Sequence, residues 1–307
     1  MKWLFIIDPI EELHYDTDST YSIMKEAYRQ EIDINFCRIQ DLSYSNGVYC
    51  ISKSVIFTTD SYRVGPENFV SLNQFDIIFM RKDPPYDINY HNATILLSLT
   101  STPVVNSPRA LRDFNEKLII LLFKEFIPET LVTSNEFQIK SFLEAHSKGL
   151  ILKSLQSYQG RSVVLIKKDN ENTKNLITKY TNHFTTPVMI QEYLPQVHVG
   201  DKRILVLGGK ILGAVLREPL KNNYLANLGQ GGIAKKTSIT KREIEIVDEI
   251  SDFLSKNGLH FVGLDIIGNF LTEINITCPT GIVHINKLNG VILEKQVVEY
   301  FMKFLSG

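Results

Sequence analysis

Between Phe261 and Thr277 two runs of alternating apolar and polar residues meet at Gly268-Asn269. This is the pattern of a β-hairpin, since successive strand residues face opposite sides and a Gly-Asn pair closes a tight turn. Leu264, Ile266, Ile274 and Ile276 then fill one face and turn Asp265, Glu273 and Asn275 to the other. Three hard oxygen donors without sulfur or imidazole suit Mg²⁺, which takes one or two carboxylates and leaves its remaining positions to water and phosphate. The parity is demanding. A plain two-residue turn would put Asp265 and Glu273 on opposite faces, so a shared face requires an odd turn or a bulge. On the acids alone, an edge hairpin with its carboxylates in water is the stronger reading, and the rest of the chain has to decide.

The 307 residues include 33 basic and 34 acidic side chains with no long block of one sign, so the sequence gives no signal for a nucleic-acid or anionic-membrane surface. Cys37, Cys50 and Cys278 lie far apart without C-x-x-C spacing, which argues against a zinc site, a redox pair or a disulfide framework and fits a reducing cytosol. The apolar start from Trp3 to Ile7 is cut off by Asp8-Pro9, too short to span a bilayer, and reads as a first buried strand. The expected location is the cytoplasm. The length allows two or three modules.

Strands at 32–39, 75–80 and 103–106 alternate with helices at 19–30, capped by Asp18, and 89–100, the mark of a parallel sheet covered by helices. Ligands gather at the carboxyl ends of such strands, where Asp8, the turn from Arg81 to Pro85 and Asn106 all fall. The plain alternatives are a strand stop and a rigid proline turn. From Pro108 one helix is expected to carry Arg109, Arg112, Asn115, Glu116 and Lys117 through the apolar Leu118 to Phe123 and to close before Pro128. A separate α+β pattern follows, with strands at 130–133, 150–153, 162–167 and 188–195 and helices between them. Lys153 ends an apolar strand, where an ammonium either meets an anion or snorkels to the surface. The next loop holds one glycine, Gly160, and is a weak phosphate cradle, although Ser157, Gln159 and Arg161 can donate by side chain.

Two strands then meet at Gly208-Gly209. Pairing across that turn brings Arg203 and Arg217 toward its open end, either to grip one anion or to sit in water. The polar stretch 219–236, with Asn222, Asn223 and Asn227, has the length of a lid or binding loop. Helices at 240–257 and 286–305 flank the Asp265 hairpin.

With these pieces together the sequence resembles an ATP-grasp ligase, and within that superfamily it is similar to the bacterial glutathione synthetase family. The resemblance covers nearly the whole chain. It is carried by Met80 to Asp87, Asn106 to Asp113, Asn115-Glu116-Lys117-Leu118, Pro128 to Thr133, Gly200 to Arg203 and Phe261 to Thr277. It implies an ATP-grasp fold, α/β and α+β. A parallel-sheet substrate-side domain would span 1–120, a small lid module 121–191, and a C-terminal module with the magnesium site 192–307. Lys117 and Lys153 would meet the nucleotide phosphates with the Gly160 loop, and Gln191, Glu192, Tyr193 and Leu194 would form the adenine hinge. Asp265, Glu273 and Asn275 match the metal ligands, for two Mg²⁺ with Mn²⁺ as a substitute. Arg203, Arg217 and Asn227 match residues near the reacting phosphate and carboxylate. Asp18, Ser19, Arg81, Asp83, Pro279 and Thr280 match the substrate side. The implied reaction joins a carboxylate to an amine through an acyl phosphate, with γ-glutamylcysteine and glycine as the expected pair, in a homo-oligomer.

Three segments depart from the family pattern. The family's G-x-G-G loop reads Ser157-Tyr158-Gln159-Gly160, Lys221 to Leu225 replaces a glycine- and arginine-bearing stretch, and Val283 stands where an arginine follows the family's Ser-Pro-Thr turn. These changes leave room for a ligase of a different carboxylate or amine. A catalytically silent ATP-binding protein is the reading from another class, and the joint presence of Lys117, Lys153, Arg203, Asp265, Glu273 and Asn275 speaks against it.

Overall fold

Three sheets order the chain in a computed structural model, which describes residues 1–59, 61–155, 163–168, 170–220, 226 and 231–307. The first is built from β1 (Lys2–Ile6), α1 (Ser19–Arg29), β2 (Asp33–Cys37), β3 (Leu42–Tyr44), β4 (Val48–Phe57), β5 (Tyr62–Ser71), β6 (Ile77–Met80), α2 (Ile88–Leu97), β7 (Val104–Val105) and α3 (Pro108–Asp113). The second contains β8 (Thr130–Thr133), α4 (Glu136–Ala145), β9 (Leu150–Ser154), β10 (Val163–Ile166), α5 (Thr173–Tyr180) and β11 (Val188–Glu192). The third contains β12 (Asp201–Leu207), β13 (Lys210–Glu218), β14 (Ile233–Lys235), α6 (Lys241–Lys256), β15 (Phe261–Ile267) and β16 (Phe270–Asn275), followed by α7 (Ile282–Asn289) and α8 (Leu293–Ser306).

In the first sheet β2, β1, β6 and β7 run parallel, as the strand and helix alternation predicts. Strands buried on both faces need continuous apolar runs. Trp3, Leu4, Phe5 and Ile6 supply one, and Phe5 stacks on Phe79 at 4.7 Å. The sheet then continues antiparallel through β4, with β3 and β5 beside it. Nothing in the periodicity of 42–71 announces these strands, because β4 carries Ile51 and Ile56 on its exposed side as well as Val48, Cys50 and Val55 on its buried side.

Two helices expected to be continuous are broken. α3 stops at Asp113, and a 3₁₀ segment, Leu118–Phe126, begins after Lys117. A helix through Glu116 would consume its carbonyl internally, whereas here that carbonyl accepts the Ile274 amide of β16 at 3.1 Å. The final helix is divided at Gly290, whose φ of +67° caps α7 in the left-handed conformation.

The second sheet has its own core of Ile139, Leu150, Leu152, Ile166, Ile177 and Ile190. The first and third sheets share theirs, through α8 among other elements, where Phe301 meets Phe79 edge-on at 5.0 Å. Asn106 makes the polar counterpart of that junction. Its Nδ2 donates to the carbonyls of Phe261 and Ile276, each at 2.7 Å, and its Oδ1 accepts the Phe261 amide at 3.0 Å. The residue at the carboxyl end of β7 is therefore committed to holding β15 and the end of β16. Its removal leaves buried backbone groups unpaired, each costing about 1–3 kcal/mol. Asn106→Ala is expected to lower unfolding free energy by about 2–4 kcal/mol in urea titration, and a loss below about 1 kcal/mol contradicts this clamp role.

Candidate active site

β15 and β16 close through Ile267 and Phe270 about Gly268-Asn269, a two-residue turn that alone would separate Asp265 from Glu273. The ladder skips Thr272, whose hydroxyl donates to the Asp265 carbonyl at 3.1 Å. Past this bulge Asp265 stands opposite Glu273 and Gly263 opposite Asn275. A second bulge re-registers the neighbouring hairpin. β13 inserts Leu212 between the partners of Leu205 and Val206, which sets Arg217 opposite Asp201. Without that extra residue Arg217 would face away from Arg203. Because β12 also pairs Arg203 with Asp265, one face gathers Asp201, Arg203, Arg217, Asp265, Glu273 and Asn275.

Asp265 is the hub, with a side chain 5% exposed. Arg203 donates from Nε to Oδ1 at 2.5 Å and from Nη2 to Oδ2 at 3.0 Å. Arg217 Nη2 lies 2.9 Å from Oδ1, and Asn275 Nδ2 donates to Oδ2 at 3.2 Å. A carboxylate offers about four lone-pair sites, so these donors occupy all of them. Burial alone would raise the Asp265 carboxyl, but the charges and hydrogen bonds of Arg203 and Arg217 outweigh it and hold it well below the usual carboxylate range. Arg217 also donates to Asp201 at 2.6 Å. Burial raises the Asp201 carboxyl, and the pairing with Arg217 offsets only part of that.

The lysines approach from the other side. Lys117 Nζ lies 3.3 Å from Glu273 Oε1, and Lys153 Nζ donates to the Thr272 carbonyl at 3.4 Å, at the bulge itself. Burial lowers the Lys153 ammonium, opposed by Glu273. Glu273 is 24% exposed at its side chain, the most open acid of the group. Among the described residues no three His, Cys, Asp or Glu side chains gather as a metal cluster, so any cation here would be held by one or two carboxylates with an amide oxygen, water or phosphate beside them. Glu273, Asp265 and Asn275 fit a hard divalent cation by donor chemistry. Asp265 would exchange one of its four donors for it, and the Asn275 amide would turn Oδ1 inward.

The substrate-side residues form a second cluster at the carboxyl ends of β1 and β6. Arg81, 6% exposed, donates to Thr20 Oγ1 at 3.0 Å and to the Pro279 carbonyl at 2.9 Å, while Arg203 Nη1 reaches the Thr280 carbonyl at 3.3 Å. Two arginines thus hold the 279–280 turn. Asp18 caps α1 through the Tyr21 amide, and Ser19 Oγ accepts the amides of Gly281 and Ile282 at the start of α7. Asp8 pairs with Lys82 at 3.0 Å and accepts the Asp83 amide at 2.9 Å. Burial raises the Asp83 carboxyl, opposed by the neighbouring Cys278 and Arg81. Burial likewise raises the Cys278 thiol, which donates to the Arg81 carbonyl at 3.2 Å.

Gln191 to Leu194 lead from β11 toward β12. Gln191 is buried and donates to Thr130 Oγ1 at 3.0 Å, and Tyr193 bonds His198 at 2.6 Å. Gly160 and Asn227, together with Ser157, Gln159, Arg161 and 221–225, lie outside the described residues. Two site residues escape sequence reasoning. Asp201 was findable, because it precedes Arg203 by two on the same strand and shares its face. Glu116 was not, since nothing local marks a carboxylate whose Oε1 accepts Ile276 N, Thr277 N and Thr277 Oγ1 at 2.7, 2.9 and 2.8 Å.

Comparison with known proteins follows the same outline. Residues 1–112 match the family model "Prokaryotic glutathione synthetase, N-terminal domain" and residues 116–290 match "Prokaryotic glutathione synthetase, ATP-grasp domain". A glutathione synthetase of Synechocystis sp. is 36% identical, covering 99% of both chains. One from Synechococcus elongatus is 37% identical over 97% of each. Among solved structures, a RiPP-associated ATP-grasp ligase from Chryseobacterium gregarium, in complex with ADP and a leader and core peptide, superposes with a TM-score of 0.64. It covers 100% of this chain and 97% of its own at 15% identity, a likeness of fold alone.

Truncating one member of a buried charge network leaves the others uncompensated, at about 3–5 kcal/mol. Asp265→Ala is therefore expected to destabilise the fold by that amount in chemical denaturation, and wild-type stability would contradict the hub geometry.

Proposed function

We propose, because this chain belongs to the prokaryotic glutathione synthetase family, that it is an ATP-dependent carboxylate–amine ligase that joins γ-glutamylcysteine to glycine through an acyl phosphate. The observation that supports this most is the convergence of Lys117 and Lys153 on the face that carries Asp265, Glu273 and Asn275. A carboxylate resists attack by an amine at neutral pH. Phosphorylation by ATP makes its carbonyl carbon electrophilic, the amine displaces phosphate, and ADP and phosphate leave. The ammonium groups of Lys117 and Lys153 donate to the phosphate oxygens and hold them in line. Glu273, Asp265 and Asn275 would hold magnesium, as two ions with Mn²⁺ able to substitute, and the metal supplies charge neutralisation on the triphosphate.

Arg203 links this cluster to the substrate side, since one guanidinium contacts both Asp265 and the Thr280 carbonyl. We assign the acyl substrate to the region of Asp18, Ser19, Arg81, Asp83, Pro279 and Thr280, and the reacting centre to Arg203, Arg217 and Asn227. The adenine ring we assign to Gln191, Glu192, Tyr193 and Leu194, and loop closure to the segment containing Gly160. In this reading 1–120 is the substrate-side domain, 121–191 the lid and 192–307 the catalytic module of a cytoplasmic homo-oligomer. Among the described residues no helix is long and apolar enough to cross a membrane. One observation favours a different acid or amine with the same chemistry. Val283, half-buried on α7 beside the turn held by Arg81 and Arg203, offers no charge to a substrate carboxylate.

The test is ADP release with ATP and magnesium, first with γ-glutamylcysteine plus glycine and then with other acids and amines. Turnover with the first pair supports the proposal, and turnover only with another pair selects the divergent ligase. Glu273→Ala is the sharper probe of the metal assignment, because Glu273 is more exposed than Asp265 and makes fewer buried contacts. It is expected to lower kcat by at least about 10²-fold with a smaller loss of stability than Asp265→Ala, and near-wild-type turnover contradicts the assignment.

A further inference from the structure

Asn115, Glu116 and Lys117 each send their side chain to a different part of the site. Asn115 Nδ2 donates to the Leu155 carbonyl at 2.9 Å, two residues beyond Lys153, and its Oδ1 accepts the amides of Lys117 and Leu118 at 3.0 and 3.2 Å. Glu116 takes three donors from Ile276 and Thr277 on one carboxylate oxygen, while its backbone carbonyl takes the Ile274 amide. Lys117 pairs with Glu273. β16 is the edge of the third sheet, so its outer amides need partners from elsewhere. Glu116 provides them on both sides of Asn275, at residues 274 and 276.

Resting on the reading of this face as the nucleotide and metal site, we propose that Glu116 is a positioning residue. Its carboxylate fixes the strand bearing Glu273 and Asn275 in one frame with Lys117, so that the phosphate-binding ammonium and the metal-binding oxygens keep a set separation. Several features carry this. Glu116 and Lys117 are consecutive, so any shift of β16 relative to Glu116 is also a shift relative to the lysine. The three donors are charge-assisted and converge on one atom, which resists sliding along the strand more than a single bond would. The opposite side of Ile276 is already fixed, since its carbonyl accepts Asn106 Nδ2. Glu116 then holds the end of β16 from its outer edge, the side that β15 does not reach. Partners that orient metal ligands typically cost 10- to 100-fold in metal affinity or activity when removed.

The experiment measures binding of a non-hydrolysable ATP analogue by titration calorimetry, with and without magnesium, for wild type, Glu116→Ala, Glu116→Gln and Thr277→Val. Steady-state kcat and KM are measured alongside. Glu116→Ala is expected to lose about 10- to 100-fold of magnesium-dependent nucleotide affinity while metal-free affinity stays within about threefold. The kinetic loss falls on kcat more than on KM for the acyl substrate. Glu116→Gln keeps an accepting oxygen at the same place and restores most of the loss. Thr277→Val, lacking one of the three bonds, shows a smaller loss in the same direction, and with Glu116→Gln it decides the matter should the alanine variant not fold. Equal losses with and without magnesium would reduce Glu116 to a strand-end cap and overturn the proposal, as would unchanged magnesium dependence in Glu116→Ala. Wild-type protein that binds the analogue identically with and without magnesium contradicts the underlying metal site, and the role of Glu116 falls with it.

Discussion

A side chain on a β-strand can face only one of two ways, and the cluster around Asp265 exists because two bulges break that parity at chosen places. Thr272 is the extra residue in one hairpin and Leu212 in the other. Removing either would return part of the set to the opposite face of the sheet, Glu273 and Asn275 in the first case or Arg217 in the second. The Thr272 bulge does more than change register. It presents the Thr272 carbonyl to Lys153, which arrives from the second sheet, so one irregularity joins the oxygen cluster to the module above it.

The charge arithmetic of this face explains its internal order. Arg203 and Arg217 would be costly to bury alone, and so would Asp201 and Asp265. Together they neutralise one another, with Asp265 at the centre and four donors on its two oxygens, while Asp201 Oδ1 and Arg217 Nε stay unpaired among the described residues. Such a network carries little net stability compared with an apolar core, but it leaves few alternative arrangements for its members. Glu273 sits at its open margin, with the buried Lys117 ammonium against it. A fixed inner group and a more accessible outer group is the order expected of a preorganised site, where dipoles and charges are aimed before the ligand arrives.

Much of this was legible in the sequence, and the exceptions have physical causes. The hairpin acids, the parallel strands and Lys153 can be read from alternation and strand ends, and the nearness of Arg203 to Arg217 from the Gly208-Gly209 turn, whereas Lys117 enters only through the family resemblance. The position of a bulge cannot, because the choice of extra residue depends on the sheet in which the hairpin is embedded; Leu212 looks like any other strand residue. β4 and β5 were hidden because Ile51, Ile56 and Phe69 remain apolar on an exposed face and blur the two-residue period. The helix expected through Glu116 fails for a non-local reason, the demand of the β16 edge for hydrogen-bond partners. Asn106 and Arg81 lie at strand ends where ligands collect, and in this chain much of their bonding capacity is spent on the protein itself.

The central claim is that this face activates a carboxylate by phosphoryl transfer before an amine attacks it. The most direct measurement uses acyl substrate labelled with ¹⁸O in its reacting carboxylate and follows the label by ³¹P NMR of the phosphate released. An acyl phosphate requires one labelled oxygen per turnover to move from the carboxylate into inorganic phosphate. Phosphate carrying the label at that stoichiometry supports the account, and unlabelled phosphate formed during amide synthesis would contradict it.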